Sequence, residues 1–245
     1  MYRGLRDKIV IVTGANGLIG KEVIKHLEFN KAIVIAVDVE ACDKVLEYDV
    51  TKPDSIDVLI SYVMDKYKRI DGLVNLAYPR TSDWGNKFED VKMDSWRINV
   101  DMQLNAIFYI NQSVLKIMKN QKKGSIVNIG SIYGVVGNDF ELYKDYGGTS
   151  ASAYSAIKGG IINFSRYLAS YYGKHNVRIN CVSPGGILDK KQQHPSFIQK
   201  YSEKSPLGRL GDAFEIAPPI SFLISDDSSF ITGHNLMVDG GWTAI

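Results

Sequence analysis

A glycine-rich turn between a strand-like and a helix-like segment is the feature that most constrains how this chain can fold. Residues 8–13, KIVIVT, form a short β-branched run of the kind that becomes a buried parallel strand. The turn GANGLIG follows at 14–20, and a helical pattern continues to Leu27. Glycines let a backbone approach a pyrophosphate, and the free N–H groups of a helix N-terminus attract it. We therefore expect a dinucleotide site at this turn, formed by Gly14, Asn16, Gly17, Leu18 and Ile19.

Strand-like and helix-like segments alternate along the rest of the chain. The strand-like segments are 8–13, 32–37, 45–48, 72–76, 124–130, 177–183 and 235–238. The main helix-like segments are 53–67, 89–118, 153–172, 195–204 and 212–224. This alternation predicts a three-layer, doubly wound α/β Rossmann fold, with a mostly parallel seven-stranded sheet and helices on both faces. We expect a single domain over residues 1–245, with substrate loops at about 78–88, 133–152 and 187–211.

Composition narrows the choice of partners. Lys and Arg number 29 and Asp and Glu number 27, without a basic block, which argues against nucleic acid. We find no signal peptide and no apolar run long enough to span a membrane. Cys42 and Cys181 match no metal spacing, so we expect no metal site and a reducing, cytoplasmic location. A small-molecule substrate is the expected partner.

Acidic residues after the second and third strands indicate which dinucleotide binds. Asp38 ends segment 32–37 and is placed to accept hydrogen bonds from the adenosine ribose hydroxyls. Its charge would repel a 2′-phosphate, which favours NAD over NADP. Asp49 could reach the adenine amino group, with Val50 against the ring.

Tyr154 and Lys158 lie four residues apart and therefore share one face of the predicted helix 153–172. A lysine ammonium one turn away favours the phenolate and lowers the pKa of the phenol. The two side chains can thus act as one acid/base unit. Ser131 follows the strand-like segment 124–130, at the sheet edge where ligands of open α/β sheets bind.

Taken in order, these residues resemble the compact, single-domain branch of the short-chain dehydrogenase/reductases, from Lys8 to Trp242. The matching motifs are Thr13-Gly14 with Gly17 and Gly20, Asp49-Val50, Asn75-Leu76-Ala77, Asn99, Ser131, Tyr154 with Lys158, Pro184-Gly185 and the end of the chain from Ile231 to Gly241. The resemblance implies an NAD(P)-dependent enzyme that interconverts an alcohol and a ketone. It adds Asn75, Ala77, Pro184, Gly185 and Ile187, together with Tyr154 and Lys158, to the cofactor-binding residues.

The resemblance also implies a role for each catalytic residue. Tyr154 would be the acid/base, and Lys158 would lower its pKa and bind the nicotinamide ribose. Ser131 would donate to the substrate oxygen, and Asn99 would orient a water that links Lys158 to solvent. A homotetramer or homodimer is implied as well, and the helix from Asp212 and the segment 231–242 are apolar enough to pair between subunits.

The chain departs from the family pattern at several positions. Gly17 comes one place early, as in the extended branch that includes sugar-nucleotide epimerases and dehydratases. An NAD-retaining sugar epimerase or dehydratase therefore stays open as an alternative, as does a non-catalytic nucleotide-binding protein. Leu76 and Tyr78 replace a usual asparagine and glycine, and Asp189 replaces a threonine near the expected pyrophosphate.

The loop between Ser131 and Tyr154 is unusually long, and its length narrows the resemblance. With Tyr78-Pro79-Arg80, it is similar to oxidoreductases of the flagellin-modification protein A type, which are linked to bacterial surface-sugar pathways. A sugar phosphate, nucleotide sugar or related intermediate of surface or flagellin carbohydrate biosynthesis is then the expected substrate. Arg80 could bind its anionic group, and Tyr133 could stack on the sugar ring.

Overall fold

The computed structural model describes residues 2–245, and its central element is a parallel sheet in the order β3-β2-β1-β4-β5-β6-β7. Its strands are β1 (Ile9–Thr13), β2 (Ile33–Asp38), β3 (Leu46–Glu47), β4 (Gly72–Asn75), β5 (Gly124–Ile129), β6 (Val177–Pro184) and β7 (Asn235–Val238). The α-helices are α1 (Leu18–Phe29), α2 (Pro53–Tyr67), α3 (Met93–Val100), α4 (Ala106–Gln121), α5 (Ser152–Tyr172), α6 (Pro195–Lys204) and α7 (Ala217–Ile224). The order reverses direction beside β1, which confirms the predicted doubly wound α/β fold.

The two faces of the sheet are covered by different helices. Because strand side chains alternate between faces, Ile9 and Ile11 of β1 pack in one core, with buried residues of α2, α4 and α5. Val10 and Val12 pack in a second core with α1 and α7. The β-branched run is therefore buried on both sides, as a strand between two helical layers requires.

Strand register brings the candidate site together. Thr13 pairs with Asn75, Asn75 with Asn128, and Asn128 with Cys181 across four neighbouring parallel strands. The carboxyl ends of β1, β4, β5 and β6 therefore lie at the same edge of the sheet. Every catalytic or cofactor segment that follows one of these strands starts from that edge.

The predicted helix 89–118 is interrupted in the structure. A 3₁₀ turn at Phe88–Asp90 precedes α3, and a π-helical turn at Asp101–Asn105 separates α3 from α4. The two parts pack on different groups of side chains: Val100 of α3 contacts the cluster around α5, whereas Ile110 of α4 lies in the core under the sheet. The wider π-helical turn separates the two parts, and the helical periodicity does not reveal it.

Other segments follow the predictions with local differences. α2 and α6 begin and end at the predicted residues. Segment 212–224 is instead a 3₁₀ turn (Ala213–Glu215) followed by α7, because Pro218 and Pro219 lack N–H groups and fit only the first turn of a helix. The aperiodic segment between Ser131 and α5 contains 3₁₀ helices at Ile132–Gly134 and Phe140–Tyr146. None of the helices formed by residues 2–245 is both long and apolar enough to cross a bilayer.

Candidate active site

A cleft of about 700 Å³ lies at the carboxyl edge of the sheet. Its walls are formed by the glycine turn, the ends of β2 and β6, residues 77–80 and the start of α5. All but one of the predicted cofactor residues line it: Gly14, Asn16, Gly17, Leu18, Ile19, Asp38, Asp49, Val50, Ala77, Tyr154, Lys158, Pro184, Gly185 and Ile187. The sequence pattern thus predicts half of the residues that line the cleft.

The glycine turn needs its glycines. Gly14 has φ of +66°, and a Cβ there would lie 2.7 Å from the backbone nitrogen of Ala77. A Cβ at Gly20 would lie 2.2 Å from the carbonyl oxygen of Gly14. α1 starts directly after Gly17 without a side-chain cap and without an acidic residue in its first turn. Its first N–H groups are therefore free for an anion, which fits a dinucleotide pyrophosphate.

Asp38 is held at the end of β2 by backbone donors. Its Oδ2 accepts a hydrogen bond from the Asn16 N–H at 2.9 Å, and its Oδ1 accepts one from the Val39 N–H at 2.8 Å. The Asn16 amide in turn donates to the carbonyl oxygen of Glu40 at 2.8 Å. Each carboxylate oxygen keeps acceptor capacity for a ribose hydroxyl.

Asp49 and Val50 form the far wall of the cleft. Burial by itself would raise the pKa of Asp49, but hydrogen bonds from Thr51 and the neighbouring Lys52 outweigh it and lower that pKa. Asp49 is thus an anion fixed by its own turn, and Val50 is buried beside it.

Asn75 is the predicted cofactor residue that the structure does not place in the cleft. Its side chain is buried, and its Nδ2 donates to Asn128 Oδ1 at 2.7 Å and to Asn111 Oδ1 at 3.3 Å. The Nδ2 of Asn128 donates a hydrogen bond to the hydroxyl of Ser165 on α5. These buried amides satisfy one another and join β4 and β5 to α4 and α5, so Asn75 stabilises the sheet beneath the cleft.

Tyr154 and Lys158 line the cleft, and Ser131 adjoins Tyr154. Ser131 caps the 3₁₀ turn that follows β5, and its hydroxyl accepts from the Tyr133 N–H at 3.2 Å. It is also the hydrogen-bond partner that lowers the pKa of Tyr154. The Nζ of Lys158 lies 5.7 Å from the centroid of the Tyr154 ring and donates to the carbonyl oxygen of Ile129 at 2.9 Å.

Burial dominates the charge states of this group. It raises the pKa of Tyr154 above its ordinary value, with Ser131 only partly opposing it. Burial also lowers the pKa of Lys158 to about 8. The expectation that Lys158 holds the phenol below its usual pKa is therefore not met by the protein alone. At neutral pH, Tyr154 is a protonated phenol that can donate.

Asn99 is buried on α3, but its amide contacts a loop. Its Nδ2 donates to Thr81 Oγ1 at 2.8 Å and to the carbonyl oxygen of Ser95 at 2.9 Å, and its Oδ1 accepts from the Thr81 N–H at 3.2 Å. The side chain therefore anchors the loop after Arg80 and does not join Tyr154 and Lys158. The water-orienting role that the resemblance implies for Asn99 stays a prediction.

Gln103, which the sequence analysis did not single out, lies closer to the cleft wall. It is buried in the π-helical turn, and its Nε2 donates to the carbonyl oxygen of Pro79 at 2.9 Å. Its Oε1 is buried and has no hydrogen-bond partner within residues 2–245. Because the helical periodicity does not reveal the π-helical turn, the sequence pattern gave no signal for Gln103.

Tyr78 and Arg80 lie on the cofactor side of the site. The guanidinium of Arg80 stacks over the Tyr78 ring at 5.1 Å, and both residues line the cleft. Asp189 lines the cleft as well, and its Oδ1 accepts from the Lys191 N–H at 3.1 Å. A cation and an anion therefore both line the cofactor cleft.

A second cavity of about 260 Å³ opens beside Ser131 and Tyr154. We call it the aromatic pocket, after Tyr78, Trp84, Tyr133, Tyr143, Phe197 and Tyr201 in its walls. It shares Tyr78, Tyr154 and Gly185 with the cleft, so a molecule in it would meet the reacting end of a bound dinucleotide. Tyr133 is therefore on the predicted substrate side, whereas Arg80 is not among the residues that line this pocket.

Comparison with known proteins adds an independent finding. A family model described as Enoyl-(Acyl carrier protein) reductase matches residues 23–243. The post-translational flagellin modification protein A of Campylobacter coli is 33% identical, over 97% of this chain and 99% of that protein. The 7alpha-hydroxysteroid dehydrogenase of Bacteroides fragilis is 32% identical, over 97% of this chain and 95% of that protein. The crystal structure of a short chain dehydrogenase from Leptospira borgpetersenii with bound NAD⁺ matches with a TM-score of 0.89 and 35% identity, over 97% of this chain and 93% of that one.

Proposed function

Because this chain belongs to the short-chain dehydrogenase/reductase family and is an NAD(P)-dependent oxidoreductase, we propose that it interconverts an alcohol and a ketone with Tyr154 as the acid/base. The observation that carries the proposal is the meeting of Ser131, Tyr154 and Lys158 where the cleft joins the aromatic pocket. A dinucleotide bound in the cleft and a carbonyl or alcohol bound in the aromatic pocket would then lie next to each other at these residues.

Each residue has a task at the substrate oxygen. Tyr154 gives a proton to this oxygen in reduction and takes one from it in oxidation. Ser131 donates a hydrogen bond to the same oxygen and stabilises the charge that develops there. Lys158 supports the phenolate form and holds the ribose next to the reacting ring. When bound, the nicotinamide supplies the hydride chemistry. Because burial raises the pKa of Tyr154, its phenol is protonated at neutral pH and can supply the proton that carbonyl reduction needs.

We propose NAD as the preferred cofactor, with NADP bound more weakly. The carboxylate of Asp38 is oriented at the ribose end of the cleft by two backbone donors. A 2′-phosphate in this place would meet that charge, and Glu40, whose carbonyl fixes Asn16, adds a second acidic residue to the same turn. Removing two or more negative charges from water beside a carboxylate is unfavourable.

For the substrate, we propose an intermediate of bacterial surface or flagellin carbohydrate biosynthesis. The support is the likeness to the Campylobacter coli protein over nearly the whole of both chains. The dehydrogenase among the relatives acts, by its name, on a hydroxyl group carried by the ring system of a steroid. Aromatic walls such as those of the aromatic pocket suit the apolar faces of such rings.

The proposed activity is tested by following NADH absorbance with a panel of carbonyl compounds and alcohols. Net NADH consumption or formation that disappears in Tyr154→Phe, while NAD binding is retained, supports the proposal. Transient NADH without net change would instead indicate the NAD-retaining epimerase or dehydratase chemistry. Full turnover by the Tyr154→Phe variant would remove Tyr154 from its role.

We also propose that the protein forms a homodimer or homotetramer. α4 and α5 expose a row of aromatic side chains, with Phe108 47% exposed, Tyr167 61% and Tyr171 54%. Neighbouring rings in this row lie close: the centroids of Phe108 and Phe164 are 6.0 Å apart, and those of Phe164 and Tyr167 are 6.3 Å apart. A second copy that presents the same row would bury it without any other partner.

A further inference from the structure

The aromatic pocket carries information about the substrate that the family does not. It adjoins the acid/base Tyr154 and is closed by parts of the chain that lie outside the dinucleotide cleft. Two of these parts are the long segment between Ser131 and α5, which contributes Tyr143, and α6, which contributes Phe197 and Tyr201.

One wall of the pocket is a cluster of three aromatic rings, one of which is the acid/base Tyr154. The centroids of Tyr78 and Trp84 are 5.8 Å apart, those of Tyr78 and Tyr154 are 5.7 Å apart, and those of Trp84 and Tyr154 are 6.3 Å apart, all with edge-on geometry. Each ring in such an arrangement supports the position of the others. The phenol of Tyr154 is therefore presented from an apolar, preformed surface.

The other wall comes from the long segment and α6. The rings of Tyr143 and Phe197 have centroids 5.5 Å apart, and Phe197 lies 5.9 Å from Tyr201. The Tyr201 ring stacks at 4.2 Å on Trp242, near the end of the chain. Tyr201 is 2% exposed, and its hydroxyl accepts from the Gly186 N–H at 2.6 Å, so this wall is tied to the end of β6.

Charged groups of these two segments pair with each other away from the pocket. Lys200 of α6 forms an ion pair with Asp145 at 2.8 Å, and Lys204 of α6 pairs with Asp139. These ion pairs hold α6 against the long segment. Among the described residues, those that line the pocket include no charged side chain. Arg80, the cation that the sequence analysis offered to a substrate, lies over the Tyr78 ring and lines the cleft instead of the pocket.

The polar groups that remain are neutral. Ser131, Thr149 and Ser150 line the pocket with hydroxyl groups. The hydroxyl of Tyr133, another lining residue, is buried and has no hydrogen-bond partner within residues 2–245. A phosphate or carboxylate placed here would lose hydration without gaining a counter-charge from the lining side chains, which is unfavourable. It would also oppose the phenolate form of Tyr154.

From these observations we infer that the molecule that reacts at Tyr154 presents an uncharged saturated ring, whose apolar face packs between the Trp84 and Phe197 walls and whose hydroxyls meet the neutral donors. This inference rests on the proposed oxidoreductase function. The cavity of about 260 Å³ holds one such ring and few substituents. A phosphate or nucleotide attached to the substrate would have to remain outside the pocket.

Two classes of substrate present such a ring: a neutral sugar, and an alicyclic ketone or alcohol. An assay with matched neutral and anionic compounds of each class distinguishes them. The assay measures NADH-linked turnover with free aldohexoses and their 6-phosphates, with cyclohexanols and the corresponding hydroxycyclohexane carboxylates, with a nucleotide sugar and with a linear 3-oxoacyl thioester. We expect kcat/KM for the better neutral ring to exceed that of its anionic partner at least tenfold. Whichever neutral series is faster identifies the class.

The remaining outcomes are equally decisive. A phosphorylated or carboxylated ring, or the thioester, as the best substrate would overturn the inference, and loss of that turnover in Tyr154→Phe would leave the proposed function intact. No turnover with any class by a protein that binds NADH would overturn both. Among variants, Phe197→Ala and Trp84→Ala should raise KM for the neutral ring at least fivefold with a smaller change in kcat. Phe230→Ala, at a fully exposed ring, is the matched control and should change neither.

Discussion

The Tyr78 ring meets the Tyr154 ring edge-on at 5.7 Å, and the same Tyr78 ring lies 5.5 Å from the Nζ of Lys158. A cation near an aromatic ring is attracted by its quadrupole, so Tyr78 favours the charged form of a lysine whose pKa is lowered by burial. Burial raises the pKa of Tyr78 itself far above its ordinary value, which keeps its phenol neutral. Tyr78 is therefore placed to position and tune the acid/base pair.

This relationship predicts different outcomes for two substitutions of Tyr78. Tyr78→Phe keeps the ring and should leave kcat within about twofold. Tyr78→Leu removes the attraction of about 0.5–2 kcal/mol for the ammonium, further lowers the pKa of Lys158 and weakens its support for the phenolate. The limb of the pH–kcat profile for alcohol oxidation should then move to higher pH in the Leu variant only. Identical profiles for the two variants would show that the ring does not act on Lys158.

Cofactor choice provides a second prediction, at Asp38. Asp38→Ala removes hydrogen bonds to a charged acceptor that are each worth about 1.5–3 kcal/mol, so KM for NAD should rise roughly 10- to 100-fold. Asp38→Asn keeps an oxygen acceptor for the Asn16 N–H at 2.9 Å but removes the charge. This control should lose discrimination against NADP while keeping more of its NAD affinity. Titration of both cofactors measures the effect, and a wild type that binds NADP more tightly than NAD would contradict the assignment.

The sequence predicted best those features that depend on local periodicity. β1, the glycine turn and α1 are recognisable because a buried strand, a turn free of Cβ atoms and a helix each leave a short-range pattern. Gly14, with its positive φ and its contact with Ala77, is conformationally required, so the residue type itself reports the structure. Half of the residues that line the cleft follow from such positions and from the parallel order of the strands.

The substrate side could not be read in this way, because its contacts join segments far apart in the sequence. Trp84, Tyr154 and Phe197 form walls of one pocket although no periodic pattern relates them. The 3₁₀ helix at Phe140–Tyr146 is too short to produce a helical period. Asn99 and Gln103 differ only in which neighbour each amide reaches, and only coordinates reveal that. The sequence accordingly suggested an anionic substrate, whereas the pocket favours a neutral one.

The two buried amides near the cleft give a third prediction. The Nε2 of Gln103 holds the carbonyl oxygen of Pro79, and the Asn99 amide holds Thr81, so both support the loop that forms the cleft wall. Gln103→Leu and Asn99→Leu each leave a half-buried backbone group without its side-chain partner, at a cost of about 1 kcal/mol. We expect lower thermal stability and a higher KM for NAD, with kcat reduced less than threefold. A loss of kcat at Asn99 of a hundredfold or more, without a change in KM, would instead support the water-orienting role.

Self-association provides a fourth prediction. A charge in the middle of the exposed aromatic row on α4 and α5 would have to be buried if two copies meet there. Tyr167→Glu should therefore shift the mass measured by light scattering towards that of the 27.3 kDa monomer. Phe230→Glu, on an exposed ring outside the row, is the control and should leave the mass unchanged. If only the Phe230 variant dissociates, the subunits meet at the segment near β7 that the sequence analysis suggested.

The buried Lys158 makes the stability of the protein depend on pH, and this can be measured without any substrate. Burial lowers the pKa of Lys158 from 10.5 to about 8, so between these values the unfolded chain binds more protons than the folded one. The contribution of Lys158 to stability therefore rises with pH across this window and is most unfavourable below about pH 8. Lys158→Met cannot titrate, so the stability of the wild type should improve relative to the variant by on the order of 2 kcal/mol between pH 7.5 and pH 9.5. Urea unfolding at both pH values measures this difference, and Lys190→Met, at an exposed lysine, should not show it. A pH-independent difference between the wild type and Lys158→Met would mean that Lys158 keeps its ordinary pKa in the folded protein, and the lowered pKa that we assign to this buried lysine would be wrong.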